Sequence, residues 1–531
     1  MTFSTLGESI IENHKILIAE PLGKEGLELL QQNTHVDIRL KLPTDELKAL
    51  LPNYHALIVR SGTQVNEALL DAGKNLIVVG RAGVGVDNID VDAATQRGIT
   101  VVNAPTTNIV AAAEHALALM WALARQIPQA DASVRRGEWK REQFTGTELV
   151  GKRLGLVGLG RVGSEVARRA AGLGMEVVTF DPYVSPERAA QMQVKLVGFE
   201  ELLATSDFVS LHTPLTRETK KLISAEELAK FKCGARLVNA ARGALVDENA
   251  LLDALDAGQL AGAALDVFEQ EPPKNERLLQ HSKVVITPHI GGSTEESATR
   301  VSLEIAGEVL AVLEGRPARF AVNAPLVPPS LAKVLYPYLD LAERLGRFYT
   351  KWVERPLGKI DVEYAGTIAA EDTAVLTAAV IKGLLEPIVD TRVNLVNASL
   401  LAQAHGLQVS ERKTPQAARY DNLITLKGEQ LVSGAVLRDE PHIVQLDGNW
   451  VDFIPQGYVL LTRHRDRPGM IGKVGTLLGT ADVNIAAMQV ARSGPRGEAI
   501  MVLTLDDPVP PEVLDMIRRE LDIQWTKLLD L

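Results

Sequence analysis

From Lys15 to Glu314 the chain repeats one pattern: short apolar runs bounded by turn residues, separated by longer stretches with helical spacing. The runs are Lys15–Ala19, Ala56–Arg60, Leu76–Gly80, Leu154–Val157, Val177–Phe180, Phe208–Leu211, Ala235–Asn239, Ala261–Leu265 and Val284–Thr287. Each is too short to be a helix and suits a strand buried on both faces. Lys24–Gln31, Asn108–Arg125 and the run from Val162 have helical periodicity, so the alternation predicts parallel α/β units. Ser293–Glu314 reads as a long helix, with Ser293 as cap and Glu296 three residues on. A proline-rich linker, Gly315–Pro329, follows, then a region to about Phe453 that opens with a helix over Leu335–Glu354. The tail changes rhythm: strand Tyr458–Thr462, helix Met470–Leu478, strands Asn484–Ala491 and Glu498–Leu505, helix Pro511–Leu521 and a last strand. That order, βαββαβ, predicts a ferredoxin-like unit.

The pattern is centred on one stretch. Strand Leu154–Val157 runs into Gly158-Leu159-Gly160-Arg161-Val162-Gly163, then an amphipathic helix, then a strand that delivers Asp181. In such a G-x-G-x-x-G loop Gly158 makes the tight turn, Gly160 lets backbone approach a pyrophosphate, and Gly163 lets helix pack on strand. The N–H groups at the helix start face the anion, and an acid at Asp181 bonds ribose hydroxyls and repels a 2′-phosphate. The expected ligand is NAD rather than NADP.

Composition narrows the setting. At 531 residues the chain exceeds one core, and 46% hydrophobic with 23% charged residues is ordinary for a globular protein. A net charge of −11 argues against nucleic acid as partner. The N-terminus lacks a basic leader and an apolar core, no apolar run is long enough for a membrane span, and Cys233 is the only cysteine. The expectation is a cytoplasmic protein without an intrachain disulfide.

Polar groups follow nearly every strand of the second half. His289 follows Thr287-Pro288, and an imidazole is the side chain best suited to take a hydroxyl proton near neutral pH. Glu271 could bond that imidazole and fix its tautomer, and Arg242 could grip a carboxylate bidentately. With a nicotinamide cofactor these residues point to hydride transfer between a 2-hydroxy acid and its 2-keto acid. Arg60 and Ser61 end a strand of the first half, as a ligand contact or a solvated edge, and the glycine loop at Gly83-Val84 is a turn or a source of N–H groups for a carboxylate. Arg135, Arg136, Lys140 and Arg141 surround Trp139, as a solvated loop or as a phosphate or partner contact.

The motifs "GLGRVG" (158–163), "NAARGALVDE" (239–248), "ALDVFEQEPP" (264–273) and "TPHIGGST" (287–294) resemble the D-isomer-specific 2-hydroxyacid dehydrogenase family. "RAGVGVDNID" (81–90) and "NAPTTN" (103–108) extend the likeness to its long, phosphoglycerate-oxidising members, which carry an intervening domain and an ACT domain. The resemblance implies a Rossmann-type cofactor domain (108–290) inserted in a flavodoxin-like substrate domain (1–107 and 291–318). An α+β intervening domain (319–455) and a ferredoxin-like ACT domain (456–531) follow. It implies Arg242, Glu271 and His289 as catalytic residues. Arg161, Val162, Asp181, Thr213, Ala240 and Asp266 would join the glycines at NAD, although some members have cysteine where Ala240 stands. Arg60, Ser61, Gly83, Val84, Asn108 and Arg141 would lie near 3-phosphoglycerate, the expected substrate of a route toward L-serine. His464, Asp466, Gly469 and Asn484 would hold L-serine as effector, in a homodimer or homotetramer without a metal. A glyoxylate or hydroxypyruvate reductase would share the catalytic trio, and a non-catalytic NAD-sensing interaction protein could share the fold.

Overall fold

Strands β1 (Lys15–Ile18), β2 (His35–Ile38), β3 (Ala56–Val59), β4 (Val78–Arg81) and β5 (Thr100–Val102) pair in parallel in the order β2-β1-β3-β4-β5. They belong to a computed structural model that describes residues 13–327, 329–354, 358–520 and 523–531. The N-terminal stretch read above for a leader lies largely outside the described residues. The order is flavodoxin-like, with its switch point between β1 and β3. All four residues of β3 are buried, whereas β2 is a half-exposed edge strand whose sequence, HVDI, lacks an apolar run. The long helix spans Glu295–Leu313. Its cap is Thr294 rather than Ser293: the Ser297 N–H donates to Thr294 Oγ1 at 3.1 Å, while the Ser293 N–H closes the preceding turn on Ile290 O. Ile305 and Val309 of this helix pack under Gly80, where a Cβ would lie 2.8 Å from Val309.

The described residues form two compact units. One takes the chain up to Pro21, Glu28–Asn103 and Ile305–Leu531; the other takes Leu22–Leu27 and Ala104–Glu304. The second holds a seven-stranded parallel sheet of β6 (Arg153–Val157), β7 (Glu176–Phe180), β8 (Lys195–Leu196), β9 (Phe208–Leu211), β10 (Ala235–Asn239), β11 (Leu260–Leu265) and β12 (Val284–Ile286). The order β12-β11-β10-β9-β6-β7-β8 is doubly wound and reverses between β6 and β9, where the glycine loop leaves the sheet. Two buried apolar clusters, one on Leu154, Leu156, Val166 and Phe208 and one on Val157, Val209, Leu237 and Leu252, hold helices against it.

The third region is a six-stranded sheet of β13 (Lys359–Gly366), β14 (Gln408–Thr414), β15 (Asn422–Lys427), β16 (Leu431–Leu437), β17 (Glu440–Leu446) and β18 (Asn449–Phe453), in the order β14-β13-β15-β16-β17-β18. Its first helix starts at Pro329, ahead of the expected Leu335; proline is tolerated in a first turn because the N–H it lacks would be unpaired there. That helix crosses Ala374–Leu385 at Gly346 and Gly383, where a Cβ on either would strike the other helix's backbone. Phe348, Tyr349 and Tyr364 are fully buried between helices and sheet.

The tail is ferredoxin-like, as the element order predicts. β19 (Tyr458–Arg465), β20 (Ile485–Arg492), β21 (Glu498–Leu505) and β22 (Trp525–Asp530) are antiparallel in the order β20-β21-β19-β22. Its helices are Met470–Thr480 and Pro511–Glu520; the expected end at Leu521 lies outside the described residues. Among the described residues no helix is long and apolar enough to cross a membrane.

Candidate active site

The loop after β6 has the shape its glycines predict. Gly158 is left-handed (φ 99°), and a Cβ there would lie 2.7 Å from His212 O. A Cβ at Gly163 would collide with the Gly158 carbonyl, so the helix Arg161–Gly172 could not sit this close to the strand. Around Gly160 the chain leaves open space: a Cβ would meet nothing within 4 Å. That opening lies at a helix N-terminus, where N–H groups and the helix dipole favour an anion.

Asp181 ends β7 beside this loop. Its Oδ2 accepts from the Leu159 N–H at 2.8 Å and its Oδ1 from the Tyr183 N–H at 2.9 Å. The carboxylate thus fastens the glycine loop, and each oxygen keeps lone-pair capacity for a further donor. Thr213 Oγ1, after β9, is buried and has no hydrogen-bond partner among the described residues. Beside it, burial pulls the His212 imidazole down to about 4, and its Nε2 lies 2.9 Å from Ser210 Oγ. Arg161 is exposed and donates to Pro105 O at 3.2 Å, while Val162 and Ala240 are half-buried against the apolar cluster. An open cradle, an unpartnered hydroxyl and a ribose-competent carboxylate fit a dinucleotide.

Three further strand ends of the same sheet carry the candidate chemistry. Arg242 follows β10, where Asn239 ties the turn by donating to Arg242 O (2.9 Å) and accepting from the Ala241 N–H (3.1 Å). The Arg242 guanidinium donates to Ala241 O at 2.8 Å. Gly243 has no room for a side chain, because a Cβ would strike the Phe268 backbone. Glu271, in the loop after β11, and His289, after β12, meet: His289 Nδ1 lies 2.7 Å from Glu271 Oε2. Partial burial raises the Glu271 carboxyl, but the hydrogen bond and charge of His289, with the Phe268 N–H, outweigh it and hold the group below the usual glutamate range.

Asp266 organises the turn that carries His289. Only 1% exposed, its carboxylate accepts from Thr287 Oγ1 (2.6 Å), the Ile290 N–H (2.9 Å) and the Gly291 N–H (2.8 Å). Burial raises this carboxyl, and His115, Thr287 and the two N–H groups overcome that and lower it. His289 itself is left-handed (φ 54°), a conformation that costs a residue with a Cβ about 1–2 kcal/mol. Asn108 packs its amide against Gly292 of the same turn.

The other expected positions fall elsewhere. Arg60 and Ser61 are exposed after β3, and Glu20, after β1, accepts from the Arg60 and Gly62 N–H groups, shaping a loop beside a cavity of about 410 Å³ at the switch point. At Gly83 (φ 154°) the Arg81 guanidinium fills the space a side chain would need, and Val84 O accepts from Asn103 at 2.5 Å. Arg141 opens an exposed 3-10 turn, Arg141–Phe144. In the tail, His464 is buried and its imidazole lowered by that burial. Asp466 pairs with Arg492 (2.9 Å), Asn484 donates to Asp506 (2.6 Å), and Gly469 (φ 86°) starts a helix with no side-chain cap. The periodicity reading missed Glu20 and His115. Glu20 could have been found as a polar group at a strand end, but His115 looks like one polar position on an alanine-rich helix.

The nucleotide-binding sheet and the His289–Glu271 pair at its carboxyl edge define an NAD-dependent dehydrogenase. Residues 117–291 match the NAD-binding domain of D-isomer specific 2-hydroxyacid dehydrogenases, residues 334–447 the D-3-phosphoglycerate dehydrogenase intervening domain, and residues 458–522 the ACT domain. The D-3-phosphoglycerate dehydrogenase of Archaeoglobus fulgidus is 45% identical over 94% of this chain and 97% of its own length. That of Bacillus subtilis is 42% identical over 97% and 99%. A Thermus thermophilus protein of known crystal structure, 39% identical, covers 58% of this chain and 99% of its own at a TM-score of 0.54. A glyoxylate reductase from Paecilomyes thermophila, 32% identical, covers 59% and 99% at 0.54. The chain belongs to the D-3-phosphoglycerate dehydrogenase family. It is an oxidoreductase, and NAD is its cofactor.

Proposed function

We propose that the chain oxidises D-3-phosphoglycerate to 3-phosphohydroxypyruvate, the first step toward L-serine, with His289 as base, Glu271 as its orienting acid and Arg242 as the substrate's carboxylate anchor. The observation that carries this reading is the 2.7 Å contact between His289 Nδ1 and Glu271. An ionised Glu271 accepts the Nδ1 proton, which leaves Nε2 free to take a hydroxyl proton and lets the carboxylate stabilise the imidazolium that forms. NAD supplies the hydride acceptor. Arg242 presents its fork to the carboxylate next to the reacting carbon, where it also polarises the developing carbonyl. Gly158, Gly160 and Gly163 cradle the pyrophosphate, Asp181 takes the ribose hydroxyls, and Thr213 offers the cofactor its unpartnered hydroxyl.

Relatives of that name extend over nearly the whole chain, intervening and ACT domains included, whereas the glyoxylate reductase spans only 59% of it. That difference favours the phosphorylated substrate over a simple hydroxy acid, with the exposed Arg60 as a contact for its phosphate. The ACT domain supports a small-molecule effector; the loop at Asp466 and Gly469, with Asn484 from a second copy, suits the ammonium and carboxylate of L-serine in a homodimer or homotetramer. The test is NAD-linked turnover over a panel of D-2-hydroxy acids, with and without L-serine. 3-Phosphoglycerate is expected to have the highest kcat/KM, and Arg60→Ala to raise its KM more than that of an unphosphorylated acid. Absence of turnover with every acid would favour the NAD-sensing alternative.

A further inference from the structure

His115 occupies the middle of the helix Ile109–Arg125 and is half-buried. Its Nε2 lies 3.1 Å from Thr287 Oγ1 and 3.2 Å from Asp266 Oδ1. Thr287 has a single hydroxyl proton, which it gives to Asp266 at 2.6 Å. Its oxygen can therefore only accept from His115, so His115 carries a proton on Nε2 and shares it between Thr287 and Asp266. With the Ile290 and Gly291 N–H groups, this gives the buried carboxylate four donors, three at Oδ1 and one at Oδ2.

The cluster joins three elements: the helix of His115, the end of β11 at Asp266 and the end of β12 at Thr287. Two residues beyond Thr287 stands His289, in a left-handed backbone that persists only where its surroundings over-determine it. The Asp266 residue supplies that constraint. Its carbonyl accepts the His289 N–H at 2.9 Å, and its carboxylate accepts the next two N–H groups. Without the His115 donor, the Asp266 and Thr287 side chains lose a hydrogen bond that ties them to the helix.

We propose that His115 is a positioning residue for the reaction: its Nε2 proton locks the Asp266 and Thr287 side chains and so holds the turn that aims His289. This rests on the reading of His289 as the base. The test compares His115→Phe, which keeps a planar ring without a donor, with His115→Gln, which keeps an N–H at similar reach. In the full-length enzyme His115→Phe is expected to lower kcat by about 10- to 100-fold, the size of effect that follows a misplacement of about 1 Å. KM for 3-phosphoglycerate and Kd for NAD are expected to change no more than about 2-fold, and His115→Gln to recover most of the rate.

Thr287→Val removes the Thr287 branch of the link, together with its hydrogen bond to Asp266, and gives a second reading if His115→Phe does not fold. It is expected to lower kcat similarly. A wild-type kcat in His115→Phe or in Thr287→Val, or equal losses in the Phe and Gln variants, would overturn the proposal. His289→Ala separates the two readings. If it keeps turnover, the assignment of the base is wrong; if it loses turnover while His115→Phe does not, only the role of His115 is.

Discussion

His289 Nδ1 and Glu271 Oε2 lie 2.7 Å apart and join the turn after β12 to the loop after β11. The two residues are far apart in sequence, and each would be a solvated polar group without the other. Paired, they fix which imidazole nitrogen carries the proton and leave the other free.

Glu271→Gln puts an amide opposite Nδ1 and lets the wrong tautomer form. The expected result is a fall in kcat on the order of 10²–10⁴-fold with NAD binding retained. Steady-state kinetics beside NAD titration by fluorescence decides it; near-normal kcat would remove Glu271 from the mechanism.

Gly160→Ala and Gly163→Ala separate binding from folding. A Cβ at Gly160 meets nothing within 4 Å among the described residues, and its backbone (φ −70°) is open to alanine. That variant is expected to melt at the wild-type temperature and bind NAD at least about 10-fold more weakly, a loss of about 1.4 kcal/mol. Gly163→Ala drives its Cβ into the Gly158 carbonyl and is expected to lower the melting temperature as well, by several degrees. Equal melting temperatures for the two would contradict the packing described here.

Asp181→Ala removes the acid beside the glycine loop. The ratio of kcat/KM for NAD to that for NADP is expected to fall by about 10-fold or more, because an acid at this place in the fold bonds ribose hydroxyls and repels a 2′-phosphate. The Leu159 N–H also loses its acceptor, so some loss with NAD accompanies the change. An unchanged ratio would place discrimination elsewhere.

Asp266 links pH to stability. Its folded-state pKa is lowered, so its contribution is present in full above the unfolded value, about 4, and is lost as pH falls through the lower folded value. Asp266→Asn leaves buried N–H groups badly paired, at about 1–3 kcal/mol near neutral pH. Denaturant unfolding at pH 7 and at successively lower pH is expected to show the gap between wild type and variant narrowing below about pH 4. A gap independent of pH would show that the carboxylate charge does not matter.

At the proposed L-serine site the ligand would compete for groups that are already paired. Asp466 is held by Arg492 and by the Arg496 N–H, and these keep its carboxyl below the usual range. Calorimetry with L-serine is expected to show binding to the wild type, tighter binding to Arg492→Ala and none to Asp466→Ala. Undiminished binding to Asp466→Ala would move the effector elsewhere.

Much of the architecture was legible along the chain. Buried parallel strands are short apolar runs, so most appeared; β5 did not, although it is buried, because three residues are too few to stand out as a run. β2 did not, because an exposed edge strand has no apolar run to show, and β8 has only Lys195 and Leu196. The glycine loop was legible for a similar reason, since its turn, open cradle and helix contact each exclude a side chain locally.

What the sequence by itself determined are features governed by neighbours along the chain: strand and helix order, the glycine loop, the βαββαβ tail, and His289, Glu271 and Arg242 as polar groups at strand ends. Tertiary structure decided the partnerships. Asp266, a cofactor contact by family resemblance, also accepts the N–H groups that shape the His289 turn; Asp181 also pins Leu159, and His115 reaches Thr287. These are contacts between residues separated by many turns of chain. Spacing cannot reveal them, because a buried polar group takes whichever partner the packing of the sheet brings within hydrogen-bond distance.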